Sequence, residues 1–152
     1  SNIDKLISKY NLSDYILLFP FCSEHLQQKK WPYYDQLIKL IKQNHPNLKI
    51  VIAPGPDEIE KAKKLDAVSI LKEDKAISIS ELAGLIKRSK FVVANDTGPA
   101  HMAAHLNVKG LSLFGSHTTA YKVSIERENF KAIQVSDLKN LSAQKVFERL
   151  AL

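Results

Sequence analysis

The sequence predicts an α/β fold, a parallel sheet of about six strands with helices on both faces. Three observations lead there. Short apolar runs alternate with stretches of helical spacing along the chain. Those runs are continuous rather than alternating, as strands covered on both faces are. A polar turn, Asp96-Thr97-Gly98-Pro99-Ala100-His101, stands between one such run and a helix-like stretch.

The elements follow in order. Residues 1–12 read as a lead-in, with Ser1-Asn2 as a tag remnant and a short amphipathic helix from Ile3 to Tyr10. Residues 13–152 form the domain proper. Tyr15 to Phe19 is a first strand, ended by Pro20. A helix from Pro32 to Gln43 spaces Leu37, Ile38, Leu40 and Ile41 on one side, with Pro32 in its first turn. Lys49 to Ala53 is a second strand, closed by the turn Pro54-Gly55-Pro56-Asp57. Asp57 is placed to cap a helix from Glu58 to Leu65. Val68 to Leu71 is a third strand, and Ser80 is placed to cap a helix from Glu81 to Ser89. Phe91 to Ala94 is the fourth strand, and Met102 to Leu106 continues helically after the polar turn. Leu111 to Phe114 and Ala132 to Val135 are the fifth and sixth strands, and Ser142 caps a last helix to Leu150.

Composition narrows the class. The chain has 152 residues, 45% hydrophobic and 25% charged, ordinary for one globular domain. No apolar run approaches the roughly 20 residues of a membrane span, and no signal peptide opens the chain. It lacks an initiating Met, as a piece of a longer protein does. The single Cys22 excludes an internal disulfide and suits a reducing compartment. A net charge of +6 favours phosphorylated ligands or an anionic membrane surface. The lysines are spread along helix faces, without interleaved aromatics, so nucleic acid is not an expected partner.

In a parallel sheet, the loops after the strands emerge at one edge, where ligands bind. Ser23, Lys29, Asp57, Glu58, Asp96, Thr97, Gly98, His101, Ser116 and Thr118 are therefore expected to converge. The Asp96–His101 turn reads as a phosphate site at a helix N-terminus. There the N–H groups of Thr97 and Gly98 can face an anion, Pro99 suits the first helical turn, and Gly98 permits close approach. Trp31 is expected to pack in the core. Cys22 is expected to be a small buried filler. His101 and His105 share a helical face, but Met102 stands where a zinc protease would carry Glu, so no metal site is expected. His101 is expected at the phosphate end of its helix, and His105 in a structural role.

With these motifs in place, the chain resembles the C-terminal half of the ADP-heptose:lipopolysaccharide heptosyltransferases, glycosyltransferase family nine. The resemblance rests on Pro20-Phe21-Cys22-Ser23, Lys29-Lys30-Trp31-Pro32, Gly55-Pro56-Asp57-Glu58, the Asp96–His101 motif and Leu113-Phe114-Gly115, in that order. It implies a Rossmann-like donor-binding domain, the C-terminal half of a GT-B fold. It further implies inverting heptose transfer from ADP-heptose in lipopolysaccharide core synthesis, without a metal or other cofactor. The acceptor site and general base would come from an N-terminal domain, so this chain would hold no catalytic base and would not turn over alone. The implied setting is cytoplasmic, peripheral at the inner membrane face, where a lipid-linked acceptor is reached.

The same resemblance assigns roles. Asp96, Thr97 and Gly98 would contact the donor's diphosphate and sugar, with Asp96 accepting from sugar hydroxyls. Lys29 would offset charge on the leaving diphosphate, with Lys30 adjacent as an alternative. Glu58 or Asp57 would hold ribose hydroxyls, and Ser116 to Thr119 would cover the donor. Simpler readings stand beside these: Asp96 and Asp57 as helix caps, Glu58 as a charge paired with a helix dipole, Lys29 as a solvated charge, and Ser116 to Thr119 as a polar loop. Two other functions fit the same residues. One is the same fold serving another activated sugar. The other is a non-catalytic nucleotide or phosphosugar-binding module.

Overall fold

A computed structural model describes residues 2–22, 30–115 and 125–152. Six strands form one sheet: β1 (Tyr15–Phe19), β2 (Lys49–Ile52), β3 (Val68–Ser69), β4 (Phe91–Asn95), β5 (Gly110–Phe114) and β6 (Phe130–Gln134). Their spatial order is β3-β2-β1-β4-β5-β6, and every neighbouring pair is parallel. The chain winds outward from β1 to β3, returns to β4 beside β1, and winds outward the other way. That is the doubly wound, Rossmann-like arrangement, and its direction reverses between β1 and β4. The fold class read from the sequence is the one observed.

The described helices are α1 (Asn2–Lys9), α2 (Tyr34–Asn44), α3 (Ile59–Ala62), α4 (Ile79–Arg88), α5 (Gly98–His105) and α6 (Ala143–Glu148), with a 3-10 turn at Leu138–Asn140. They cover both sheet faces. Leu17, Phe19, Val51 and Val92 point to the side that buries Leu85 and Ile86 of α4 and Ala100, Ala103 and Ala104 of α5. Ile16, Leu18, Ile50 and Val93 point to the side that buries Leu37, Ile38 and Ile41 of α2 and Val146 of α6. Burial on both faces is why the strands read as unbroken apolar runs.

The lead-in helix belongs to this packing. Leu6 is buried, Ile3 and Ile7 pack on the α4–α5 side of the core, and Asp4 pairs with Arg88. Close approach of α1 to α4 uses Gly84, where an added Cβ would stand 3.0 Å from Ile3. Helices α1 and α5 end alike. Leu12 N–H reaches back to Ile7 O and Asn11 N–H to Ser8 O; Val108 N–H reaches Ala103 O and Asn107 N–H Ala104 O. These are Schellman closures, with Asn11 and Asn107 both at φ 53°.

Several boundaries differ from expectation. The N-cap of α4 is Ser78, not Ser80. Ser78 Oγ accepts Glu81 N–H at 3.1 Å and Glu81 Oε1 accepts Ser78 N–H at 2.8 Å. The reciprocal pair needs an acid three residues after the cap, which Ser80 lacks. Asp57 does not cap α3. Glu58 is the cap residue, without a side-chain cap bond, and the helix is a single turn. α5 begins at Gly98 rather than Met102, because Thr97 is extended and Gly98-Pro99 enters the helix directly. The turn Pro32-Tyr33 precedes α2. β6 starts at Phe130, whose ring covers Gly110. Ser142 does cap α6, accepting Lys145 N–H at 3.2 Å.

Candidate functional site

The reversal between β1 and β4 opens a cleft at the carboxyl ends of the strands. Its volume is about 700 Å³. Pro20, Phe21 and Cys22 after β1 form one wall, and Asp96, Thr97 and Gly98 after β4 form another. Ala53 to Pro56 and Glu58 after β2 form a third, and Ala76 to Ile79 with Leu82 also line the cleft. Strands diverge at such a reversal, so the loops cannot close over one another.

The Asp96–Gly98 wall is built for polar contact. Thr97 is extended, at φ −146° and ψ 171°, and its side chain makes no cap bond to α5. Its hydroxyl reaches Asn95 O at 3.3 Å. Gly98 is the first residue of α5, where backbone N–H groups have no acceptor within the helix. Among the described residues a Cβ at Gly98 would meet nothing within 4 Å, and the residue has no positive φ. Their packing therefore does not demand glycine here; close approach of something in the cleft would. Asp96 is 8% exposed, and its Oδ1 lies 3.8 Å from His101 Nε2. His101 sits in the first turns of α5 and does not line the cleft.

On the β2 side, Gly55 and Glu58 close the turn on each other. Glu58 N–H donates to Gly55 O at 3.0 Å, and Gly55 N–H donates to Glu58 Oε1 at 2.9 Å. Glu58 lines the cleft with its carboxylate held by the turn. Asp57, the other acid of this turn, is exposed and is not part of the lining.

Behind these walls lies a polar knot. Asn95 is fully buried. Its Nδ2 donates to Pro20 O at 3.0 Å, and its Oδ1 accepts Tyr34 OH at 3.2 Å and Trp31 N–H at 3.4 Å. Burial, and secondly the nearby Cys22, hold the Tyr34 phenol well above its ordinary range, so it stays a donor. Trp31 is 1% exposed, as expected of a core residue, and its Nε1 donates to Leu141 O at 2.7 Å.

Among the predicted site residues, the fold thus gathers Asp96, Thr97, Gly98 and Glu58 around one cleft. Ser23, Lys29, Ser116 and Thr118 lie outside the described residues. Cys22 is half-buried on the cleft wall rather than a core filler. His105, expected in a structural role, is exposed in the last turn of α5. Among the described residues no group of three His, Cys, Asp or Glu side chains is placed to hold a metal ion. Sequence reasoning missed Asn95, although a polar residue closing an apolar strand was a visible signal. It also missed the Ala76–Ile79 wall, which carries no polar motif.

This sheet order with a cleft at its reversal point defines a Rossmann-like domain. The chain belongs to glycosyltransferase family 9 (heptosyltransferase), which it matches over residues 4–150. It is 29% identical over 114 residues to lipopolysaccharide heptosyltransferase 1 of Campylobacter coli, covering 69% of this chain and 33% of that protein. Its fold is similar to that of E. coli heptosyltransferase WaaC solved with ADP-2-deoxy-2-fluoro heptose, with TM-score 0.76 and 22% identity, over 97% of this chain and 46% of that one. E. coli ADP-heptose lps heptosyltransferase II gives 0.77 and 19%, over 96% and 49%. The UDP-GlcNAc 2-epimerase of Methanocaldococcus jannaschii shares the fold at 0.66 and 15%, over 99% and 42%. The chain thus spans a third of the curated relative and about half of the E. coli structures. Among the described residues no helix is long and apolar enough to cross a membrane.

Proposed function

We propose that the cleft binds a nucleotide-diphosphate sugar, ADP-heptose, as the donor half of an inverting heptosyltransferase of lipopolysaccharide core synthesis. The observation that carries this reading is the convergence of the Asp96–Gly98 turn and Glu58 on one cleft at the sheet's reversal point. Diphosphate sits against the start of α5, where the Gly98 N–H and the helix dipole favour negative charge. The Thr97 hydroxyl adds a donor when it turns from the Asn95 carbonyl to the ligand. The Asp96 carboxylate serves sugar hydroxyls, since beside phosphate oxygens it would repel them. Glu58 takes ribose hydroxyls, the usual task of an acid after the second strand.

Lys29 supplies positive charge as the leaving diphosphate forms, which lowers the barrier where charge develops. Ser23, Ser116 and Thr118 are further donor contacts on the loops after β1 and β5, and His101 stands behind Asp96. No residue of this chain is assigned as general base. That group and the acceptor site belong to an N-terminal domain, and the lipid-linked acceptor is met at the cytoplasmic face of the inner membrane. The heptosyltransferases it resembles support this reading, WaaC having been solved with ADP and with an ADP-heptose analogue.

Titration of the 152-residue chain with ADP-heptose and with ADP, in buffer containing a chelator, tests the proposal. One site is expected, tighter for the sugar nucleotide than for ADP. Equal affinity would remove the sugar contacts from the account. A second reading, another activated sugar in the same cleft, has the shared fold of the UDP-GlcNAc 2-epimerases in its favour. Tighter binding of a UDP-sugar would select it.

A further inference from the structure

We propose that Asn95 is a positioning residue of the donor site: its carboxamide sets the spacing of the two cleft walls that diverge at the reversal point. The proposal rests on the donor-site reading above. The backbone pairing of β1 with β4 ends at Phe19↔Ala94. At the next position along each strand the ladder is replaced by a side chain. Asn95 Nδ2 takes the Pro20 carbonyl at 3.0 Å, at the root of the wall formed by Pro20, Phe21 and Cys22. The Asn95 backbone leads directly into the opposite wall, Asp96-Thr97-Gly98. One buried group therefore joins the roots of both.

The other end of the carboxamide fixes its own orientation. Trp31 N–H can only donate and Pro20 O can only accept, so Oδ1 must face Trp31 and Nδ2 must face Pro20. Tyr34 OH adds a second donor to Oδ1. An asparagine is needed because one planar group must donate on one side and accept twice on the other. Alanine leaves several polar groups unpaired. Aspartate, of the same shape, sets a carboxylate against the Pro20 carbonyl beside Asp96. At full burial either change is costly, and the strand ends can relieve it only by moving. Such movement displaces the walls relative to each other and degrades a polyvalent site.

The experiment is ADP titration by calorimetry, with thermal unfolding alongside, on the unaltered 152-residue chain, Asn95→Ala, Asn95→Asp and Val146→Ala. Val146 is a fully buried residue of α6 outside the cleft lining, so its variant controls for lost stability. Asn95→Ala is expected to weaken ADP about tenfold or more, in line with the cost of leaving buried polar groups unpaired. Val146→Ala is expected to lower the unfolding temperature while keeping the unaltered affinity. Asn95→Asp is expected to bind weakly at neutral pH. Relative to the unaltered chain at the same pH, it should recover as acid protonates the new carboxyl, which then donates and accepts again. If Asn95→Ala does not fold, Asn95→Asp carries the test. A pH-independent affinity ratio for Asn95→Asp, or equal ADP binding by Asn95→Ala and the unaltered chain, overturns the positioning role alone. Failure of the unaltered chain to bind ADP instead rejects the donor-site reading, and the positioning role with it.

Discussion

Gly55 and Glu58 bind each other twice, the Glu58 N–H to the Gly55 carbonyl at 3.0 Å and the Gly55 N–H to the Glu58 carboxylate at 2.9 Å. The acid proposed to hold ribose is thus oriented by the turn that carries it. Glu58→Ala removes one of these bonds and is expected to cost about 0.5–1.5 kcal/mol of stability and to weaken ADP. Glu58→Gln keeps an acceptor at the same place and should retain both properties nearly unchanged. Urea unfolding and calorimetry on the two variants make the comparison.

Glu81 gives the chain an acid-sensitive link. The N–H of Ser78 is the main cause holding its carboxyl below the ordinary 4.5, with the Ser78 hydroxyl and Lys72 adding to it against the opposing effect of burial. A depressed carboxyl contributes stability above its unfolded value, and that contribution is lost as pH falls through the folded value. Below 4.5 the unaltered chain should therefore lose unfolding temperature more steeply than Glu81→Gln. Parallel pH profiles for the two would remove Glu81 from the account of α4.

Gly110 faces the ring of Phe130 so closely that an added Cβ would stand 2.6 Å from the ring and 2.9 Å from Val92 O. The backbone oxygen cannot yield without disturbing the β4–β5 ladder. Gly110→Ala is expected to cost about 1–3 kcal/mol, the usual range for overpacking, read as a lower urea midpoint with unchanged slope.

The turn Lys72-Glu73-Asp74-Lys75 places two ordinary residues at positive φ, Glu73 at 52° and Asp74 at 64°. Lys72 and Lys75 pair across it in both directions. Glycine enters that region without a Cβ penalty. Glycine's greater freedom in the unfolded chain offsets part of that gain, so Asp74→Gly should raise stability by about 0.5–1 kcal/mol, seen as a higher urea midpoint.

Much of this architecture was legible because the hydrophobic period is strong. The run Tyr15–Phe19 matches its strand residue for residue, since a doubly buried strand has no polar position to blur its ends. Helix starts were less legible. Ser78 and Ser80 are equally good caps in isolation, and only the reciprocal bond with Glu81 separates them. Asp57 resembled a cap because the pattern cannot reveal that Glu58 is already engaged by Gly55. At the site, the Asp96–Gly98 turn was visible because its polar residues and glycine follow an apolar run directly and precede Pro99. Asn95 was not, because its partners Pro20, Trp31 and Tyr34 are distant in sequence and meet only where β1 and β4 diverge.

The central claim, a site for an adenine nucleotide donor at the reversal of the sheet, is tested most directly by titrating the chain with ADP, UDP and GDP in metal-free buffer. One ADP site is expected, preferred over UDP and GDP and lost on Lys29→Ala with the fold intact by circular dichroism. Binding of none of the three, or ADP binding that survives Lys29→Ala, would contradict it.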